Sequence, residues 1–194
     1  MKAVLIILGI LIVGIVLVQL YAMKSQKDIE VYSYTLVKAY DDFEVRAYEA
    51  RLFTSVKLPT NDFKEGSSKG FSVLAGYIFG GNDKEQQIAM TSPVSMSLED
   101  SMTVMFMVPK ELRKDELPLP NSTEIAFKEE PSKTVAAITF GGWSDSNKIE
   151  SYKQKLISAL DQEGISYTDK FFFLGYNAPY EMTNRRNEVI VELD

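Results

Sequence analysis

GYIFGGNDKEQQIAMTSPV, residues 76–94, decides how this chain must be read. Gly80-Gly81 stops a helix, Asn82-Asp83 supplies a turn, and the chain then enters a strand that carries Met90 and Pro93. Upstream, Phe71, Leu74 and Ile78 recur at helical spacing and predict a helix from about Ser67 to Phe79. Asp62 with Glu65 offers a capping box, but Gly66, Gly70 and Gly76 each cost ~1 kcal/mol inside a helix. Downstream, Ile88, Met90, Val94, Met96 and Leu98 share one parity, with small and polar residues on the other. This reads as one long strand with an edge or bulge at Pro93, which cannot donate to a ladder. Met102–Val108 is apolar on both parities and predicts a fully buried strand.

The same period of two continues outward. Phe43, Val45 and Ala47 alternate with Glu44, Arg46 and Tyr48, and the alternation resumes through Leu52–Leu58 after a kink near Ala50. Thr123–Glu129 and Lys133–Phe140 are strands hinged at Pro131, and Phe171–Asn177 and Asn187–Leu193 close the chain. A second helix is marked by N-cap candidates Ser144–Ser146, by the stripe Ile149, Tyr152, Leu156 and Leu160, and by Gly164 at its C-terminal end. The order is therefore a strand hairpin, a helix and two strands, given twice, with the division in the Pro-rich loop Glu116–Thr123. The expected fold is α+β: a distorted antiparallel β-barrel of two quasi-repeated halves, with two helices packed outside.

The N-terminus is of another kind. Ala3–Met23 is apolar apart from Gln19, and about 20 such residues span a ~30 Å hydrocarbon core as a helix. The run is too long for a signal-peptide core, and the Leu20-Tyr21-Ala22 site is poor. The expected organisation is a transmembrane anchor over residues 1–24, a stalk over 25–30 and one ligand-binding domain over 31–194. Lys2 before the run and the short N-terminal tail favour a domain on the extracytoplasmic side of a single-pass membrane protein. The whole-chain net charge of −6 becomes more negative once Lys2 and Lys24 are set aside, and no basic stripe appears, which excludes a nucleic-acid partner. No cysteine means no disulfide and no thiolate metal site, and no histidine means no Ser-His pair.

Several motifs have two readings. Met90, Met96, Met102, Met105 and Met107 make either a soft pocket for a flat ligand or core filler; the second suits Met102, Met105 and Met107. Gly80-Gly81-Asn82-Asp83 lacks the phosphate-loop pattern and is a helix stop. Arg185-Arg186-Asn187-Glu188 suits a turn in which Arg186 or Asn187 satisfies backbone carbonyls. Acidic pairs at Asp41, Glu99, Asp115 and Glu129 are read as solvated turns. Trp143, after Gly141-Gly142, is a hydrophobic staple or lid, or the wall of a pocket.

FEVRAYEARLFTSV (43–56), residues 76–96, MFMVPKEL (105–112) and GYNAPYEMTNRRNEVIVEL (175–193) resemble the SOUL haem-binding family, in the family's order and spacing. The resemblance implies a distorted barrel of two quasi-repeats that binds haem or another tetrapyrrole in a shallow apolar groove near the first helix. Carried over residue by residue, it makes Phe71, Leu74, Ala75 and Ile78 the groove side, with Met90 and Met96 nearby. Where animal members place basic side chains toward haem propionates, this chain has Ser68, Gly76 and Glu181, and Lys69 is the nearest substitute. It also lacks the histidine that some members use on iron. The implied partner is a small hydrophobic ligand, with membrane contact through residues 3–23. Alternatives on the same fold are a non-haem small-molecule or lipid carrier and a protein-interaction module. Tyr77, Tyr176 and Glu188 are the positions that hydrolytic relatives of the fold would use, and no other catalytic constellation is present.

Overall fold

The structure is a computed structural model that describes residues 2, 7, 9–14, 29–60, 62–99 and 101–194. The expected membrane segment lies largely outside the described residues; 9–14 are helical and exposed, and no helix among the described residues is long and apolar enough to cross a membrane.

The strands are β1 (Glu30–Val31), β2 (Tyr34–Ala39), β3 (Glu44–Tyr48), β4 (Arg51–Leu58), β5 (Thr91–Ser92), β6 (Val94–Ser97), β7 (Met102–Met107), β8 (Ile125–Glu130), β9 (Lys133–Gly141), β10 (Tyr167–Gly175) and β11 (Arg186–Leu193). The helices are α1 (Phe63–Ile78) and α2 (Ser146–Glu163). Nine strands form one antiparallel sheet in the order β2-β3-β9-β11-β10-β6-β7-β4-β8, and β1 pairs with β5 beside it. The architecture is α+β, as expected, but the sheet curls into a half-barrel with β2 and β8 as edges rather than closing completely.

Its curl comes from two bent strands. β3 pairs with β9 and β4 pairs with β8 in one continuous register, from Glu44↔Ala137 to Val56↔Ile125. β3 and β4 are therefore not the expected hairpin. Their link, Glu49-Ala50, has no residue at positive φ, which a two-residue hairpin turn requires, so the chain bends instead of reversing. Pro131-Ser132 bends the partner in the same way. Outward from the β10/β6 boundary the order is β11, β9, β3 on one side and β7, β4, β8 on the other. The two halves thus correspond by position, each with its leading strand crossed to the other half.

Both helices cover one face of the sheet, α1 over β4 and β7 and α2 over β9, β10 and β11. The core between them includes Leu74, Ile78, Val104, Leu156, Leu160, Val189 and Val191. The opposite, concave face buries Tyr32, Tyr48, Phe53, Met105, Met107, Phe172 and Ile190 against one another without a helix. That burial is possible only because the sheet curls over itself.

Four local expectations change. α1 begins four residues before the expected Ser67, with Asp62 as N-cap accepting from the Glu65 N–H at 2.7 Å. Gly66 and Gly70 do not weaken it, because they let the helix touch the sheet: a Cβ on Gly70 would lie 2.4 Å from Val104, and one on Gly66 2.6 Å from the Met102 sulfur. The long strand after α1 is instead broken at Pro93, which follows a cis peptide bond, into β5 and β6. Glu130 is buried in β8, held by Lys128 and Lys133, rather than solvated at a turn. β2 was not legible at all: it is an edge strand with mostly exposed side chains and no alternation to betray it. α2 runs as its stripe requires, from N-cap Asp145 to Gly164, whose φ of 65° is left-handed.

Candidate functional site

α1 carries most of the residues expected to bind ligand, but its faces divide them. Leu74, Ala75 and Ile78 point into the helix-side core, as does Met96 from β6. Phe71 is half-buried, edge-on to Phe106 at 5.3 Å, and Met90 is half-buried against the same core. Ile78 borders a small cavity of about 10 Å³, room for at most one water. Lys69 alone of the seven is exposed on the outer face of the helix.

That outer face holds an open depression of about 700 Å³, lined by Lys64, Glu65, Ser68, Lys69, Ser72 and Val73, with Asp62 at its end. Ser68, Ser72 and Gly76 follow at i, i+4 spacing, and nothing lies within 4 Å of where a Gly76 side chain would start. The result is a flat strip along the helix. Asp62 is occupied as the cap, and neither Lys64 nor Lys69 forms an ion pair among the described residues. A planar, anionic molecule meets there a flat contact surface and two free ammonium groups. No methionine or tyrosine lines the depression and the chain has no histidine or cysteine, so the metal-donor side chains in its walls are the amines of Lys64 and Lys69 and the carboxylates of Asp62 and Glu65.

The strongest polar cluster lies on the concave face; the sequence singled out Tyr176 and Glu188 but did not show that Arg46 and Thr139 join them. Glu188 of β11 is 0% exposed. Its Oε2 accepts from Arg46 Nη1 at 2.9 Å and from the Tyr176 hydroxyl at 2.8 Å. Its Oε1 accepts from Thr139 Oγ1 at 3.1 Å and from Arg186 Nη2 at 2.6 Å. Arg46, itself 2% exposed, also donates to Glu44 at 2.7 Å and lies over the Tyr34 ring. The alternation along β3 was read correctly, but its polar parity faces the concave side, not solvent.

The pairings set the charge states of the cluster. Burial pushes the Glu188 carboxyl up, yet Arg46 and Arg186 hold it below the usual carboxylate range. Burial and the neighbouring Glu188 charge raise the Tyr176 hydroxyl well above its ordinary value. Tyr77 donates to Pro118 O at 2.9 Å, and burial pushes it up to about 12. Asn187 bonds Gly142 O, as the turn reading required, and Arg185 rather than Arg186 satisfies the carbonyls of Ala178 and Glu181.

The family model described as SOUL heme-binding protein matches residues 29–192. The chain belongs to the SOUL family. "Heme-binding protein 2" of Homo sapiens is 30% identical over 156 residues, 76% of this chain and 76% of that protein. "Heme-binding protein 1" of Xenopus laevis is 30% identical over 155 residues, 76% of this chain and 81% of that one. Among solved structures, the EcmrR C-terminal domain shares the fold with a TM-score of 0.62 at 11% identity, covering 83% of this chain and 98% of that chain. The SOUL match begins one residue before β1, so the apolar run at 3–23 lies outside it.

Proposed function

We propose that this SOUL domain binds haem or a related tetrapyrrole on the outer face of α1, held to a membrane by residues 3–23 with the domain on the extracytoplasmic side. The observation that carries the ligand is membership of the family over residues 29–192, together with relatives named for haem binding. The α1 surface fits such a ring in a particular way. Ser68, Ser72, Gly76 and Val73 would hold the macrocycle, and Lys64 and Lys69 would meet its carboxylates beside the opposing charges of Asp62 and Glu65. Leu74, Ala75, Ile78 and Met96 act beneath it, by fixing the helix on the sheet. Phe71 and Met90 pack with them against the helix-side core. The bound group supplies whatever redox or light-absorbing chemistry the protein uses; the chain's own residues hold and orient the ring.

The strength of binding follows from area. About 200–300 Å² of ring face removed from water contributes roughly 5–7 kcal/mol, before an association cost of several kcal/mol. Affinity is therefore micromolar or weaker, and the iron adds little. Titration of full-length protein in detergent should show metal-free protoporphyrin binding within about tenfold of haem. Lys69→Glu together with Lys64→Glu should weaken both ligands by roughly tenfold or more, because carboxylates would then face carboxylates. Haem binding that is much tighter than that of the free ring and indifferent to both lysines would overturn this site.

A further inference from the structure

Large apolar side chains left exposed on the domain gather at one end of it. Val31, Phe79, Leu119, Trp143, Tyr180 and Met182 are exposed; from residue 29 on, only Leu36 and Val37 of edge strand β2 join them among the described residues. Strand registers place the first six at the same end of the sheet. Val94 at the start of β6 lies opposite Gly175 at the end of β10, Gly175 opposite Asn187 of β11, and Asn187 opposite Phe140 near the end of β9. The loops carrying Trp143, Tyr180 and Met182 therefore leave from this end. α1 runs toward the same end, passing Met102, then Val104, then Phe106, and so delivers Phe79. Leu119 is tied to the end of α1, its carbonyl accepting from the Asp83 N–H. Val31 joins through Ser92, its β1–β5 partner, whose hydroxyl donates to Tyr176 O at 3.2 Å.

Trp143 stands on a built platform. Lys148 Nζ donates to Gly141 O at 2.7 Å and to Trp143 O at 3.1 Å. The Arg185 guanidinium lies 4.0 Å from the indole centre, while its Nη1 bonds Ala178 O and Glu181 O and so ties in the loop bearing Tyr180 and Met182. An indole, a phenol, a thioether and two cations on one rigid rim are the side chains that settle at lipid headgroup level. The tether sets the distance. Between the end of the apolar run at Met23 and Ile29, only residues 24–28 intervene, at most about 18 Å of extended chain.

We infer that this end of the domain docks on the phospholipid surface next to its own anchor, with Trp143, Tyr180 and Met182 in the headgroup layer and Arg185 beside lipid phosphates. The inference rests on the anchor reading above. It points the C-terminal end of α1 at the bilayer and keeps the depression at residues 62–73 facing solution.

Trp143 is the chain's one tryptophan, so its emission reports this surface alone. Full-length protein is reconstituted in phosphatidylcholine vesicles, either plain or brominated on the acyl chains just below the headgroups, and flotation measures association. Emission should fall about twofold in brominated vesicles relative to plain ones. Tyr180→Ser with Met182→Ser should reduce that fall while the protein still floats. Trp143→Phe with Val37→Trp moves the indole to mid-strand on β2, and its emission should be equal in both vesicles. Flotation with unquenched Trp143 overturns the docking and leaves the anchor in place; failure to float overturns both.

Discussion

Replacing Glu188 by glutamine tests the concave-face network directly. The substitution keeps shape and removes one negative charge from between two guanidinium groups. Glutamine must also turn an NH₂ toward donors that now surround an acceptor, either Arg46 and Tyr176 or Thr139 and Arg186. Removing one member of a buried ion pair costs about 3–5 kcal/mol, because the partner charge is left uncompensated. Two features hold the cost near the lower bound: Arg46 keeps Glu44 at 2.7 Å, and the Arg186 side chain is 41% exposed and can turn to water. The expected loss is thus about 3 kcal/mol, a large part of a typical total stability of roughly 5–15 kcal/mol. Urea unfolding of full-length protein in mild detergent, followed by circular dichroism, measures it. The pH dependence has a definite sign. The folded-state carboxyl is depressed, so its contribution is complete above the unfolded value of about 4.3 and is lost as pH falls through the lower folded value. Wild type and Glu188→Gln should therefore converge on acidification. A variant within about 1 kcal/mol of wild type at pH 7, or a gap unchanged at about pH 3, would refute the reasoning.

Gly70→Ala should destabilise the domain by roughly 1–3 kcal/mol despite alanine's better helix propensity, because the new methyl meets Val104 at 2.4 Å; a rise in urea midpoint would show that α1 can shift freely. Asn82→Ala should cost about 2–4 kcal/mol in the same assay. Its buried amide donates to Tyr77 O and Gln86 O and accepts from the Lys84 and Gln86 N–H groups, so the turn ending α1 loses four hydrogen bonds at once.

Local order was legible because its causes are local. α2 could be bounded to within a residue or two from a stripe, a cap and Gly164, and β7 from an apolar run, since propensity and periodicity act over a few neighbours. Family motifs, the missing histidine and cysteine, and the apolar run at 3–23 are likewise properties of the chain alone. Lys69 was singled out from sequence, and it is the one expected ligand contact on the open surface. What tertiary structure decided was every question of what lies opposite a residue. Gly66 and Gly70 looked like helix breakers until Met102 and Val104 were seen to occupy their side-chain space. Arg46 sits on the polar parity of its strand, yet the curl of the sheet turns it inward to 2% exposure. The family resemblance made Leu74 and Ile78 a groove side, and their periodicity could not correct it, because it marks an apolar face without saying whether a sheet or a ligand covers it. The bend at Glu49-Ala50, where no positive-φ residue permits a hairpin, sends β3 to pair with β9 across the molecule. That long-range pairing brings Arg46 to Glu188, 142 positions away in sequence, where no local pattern could announce it.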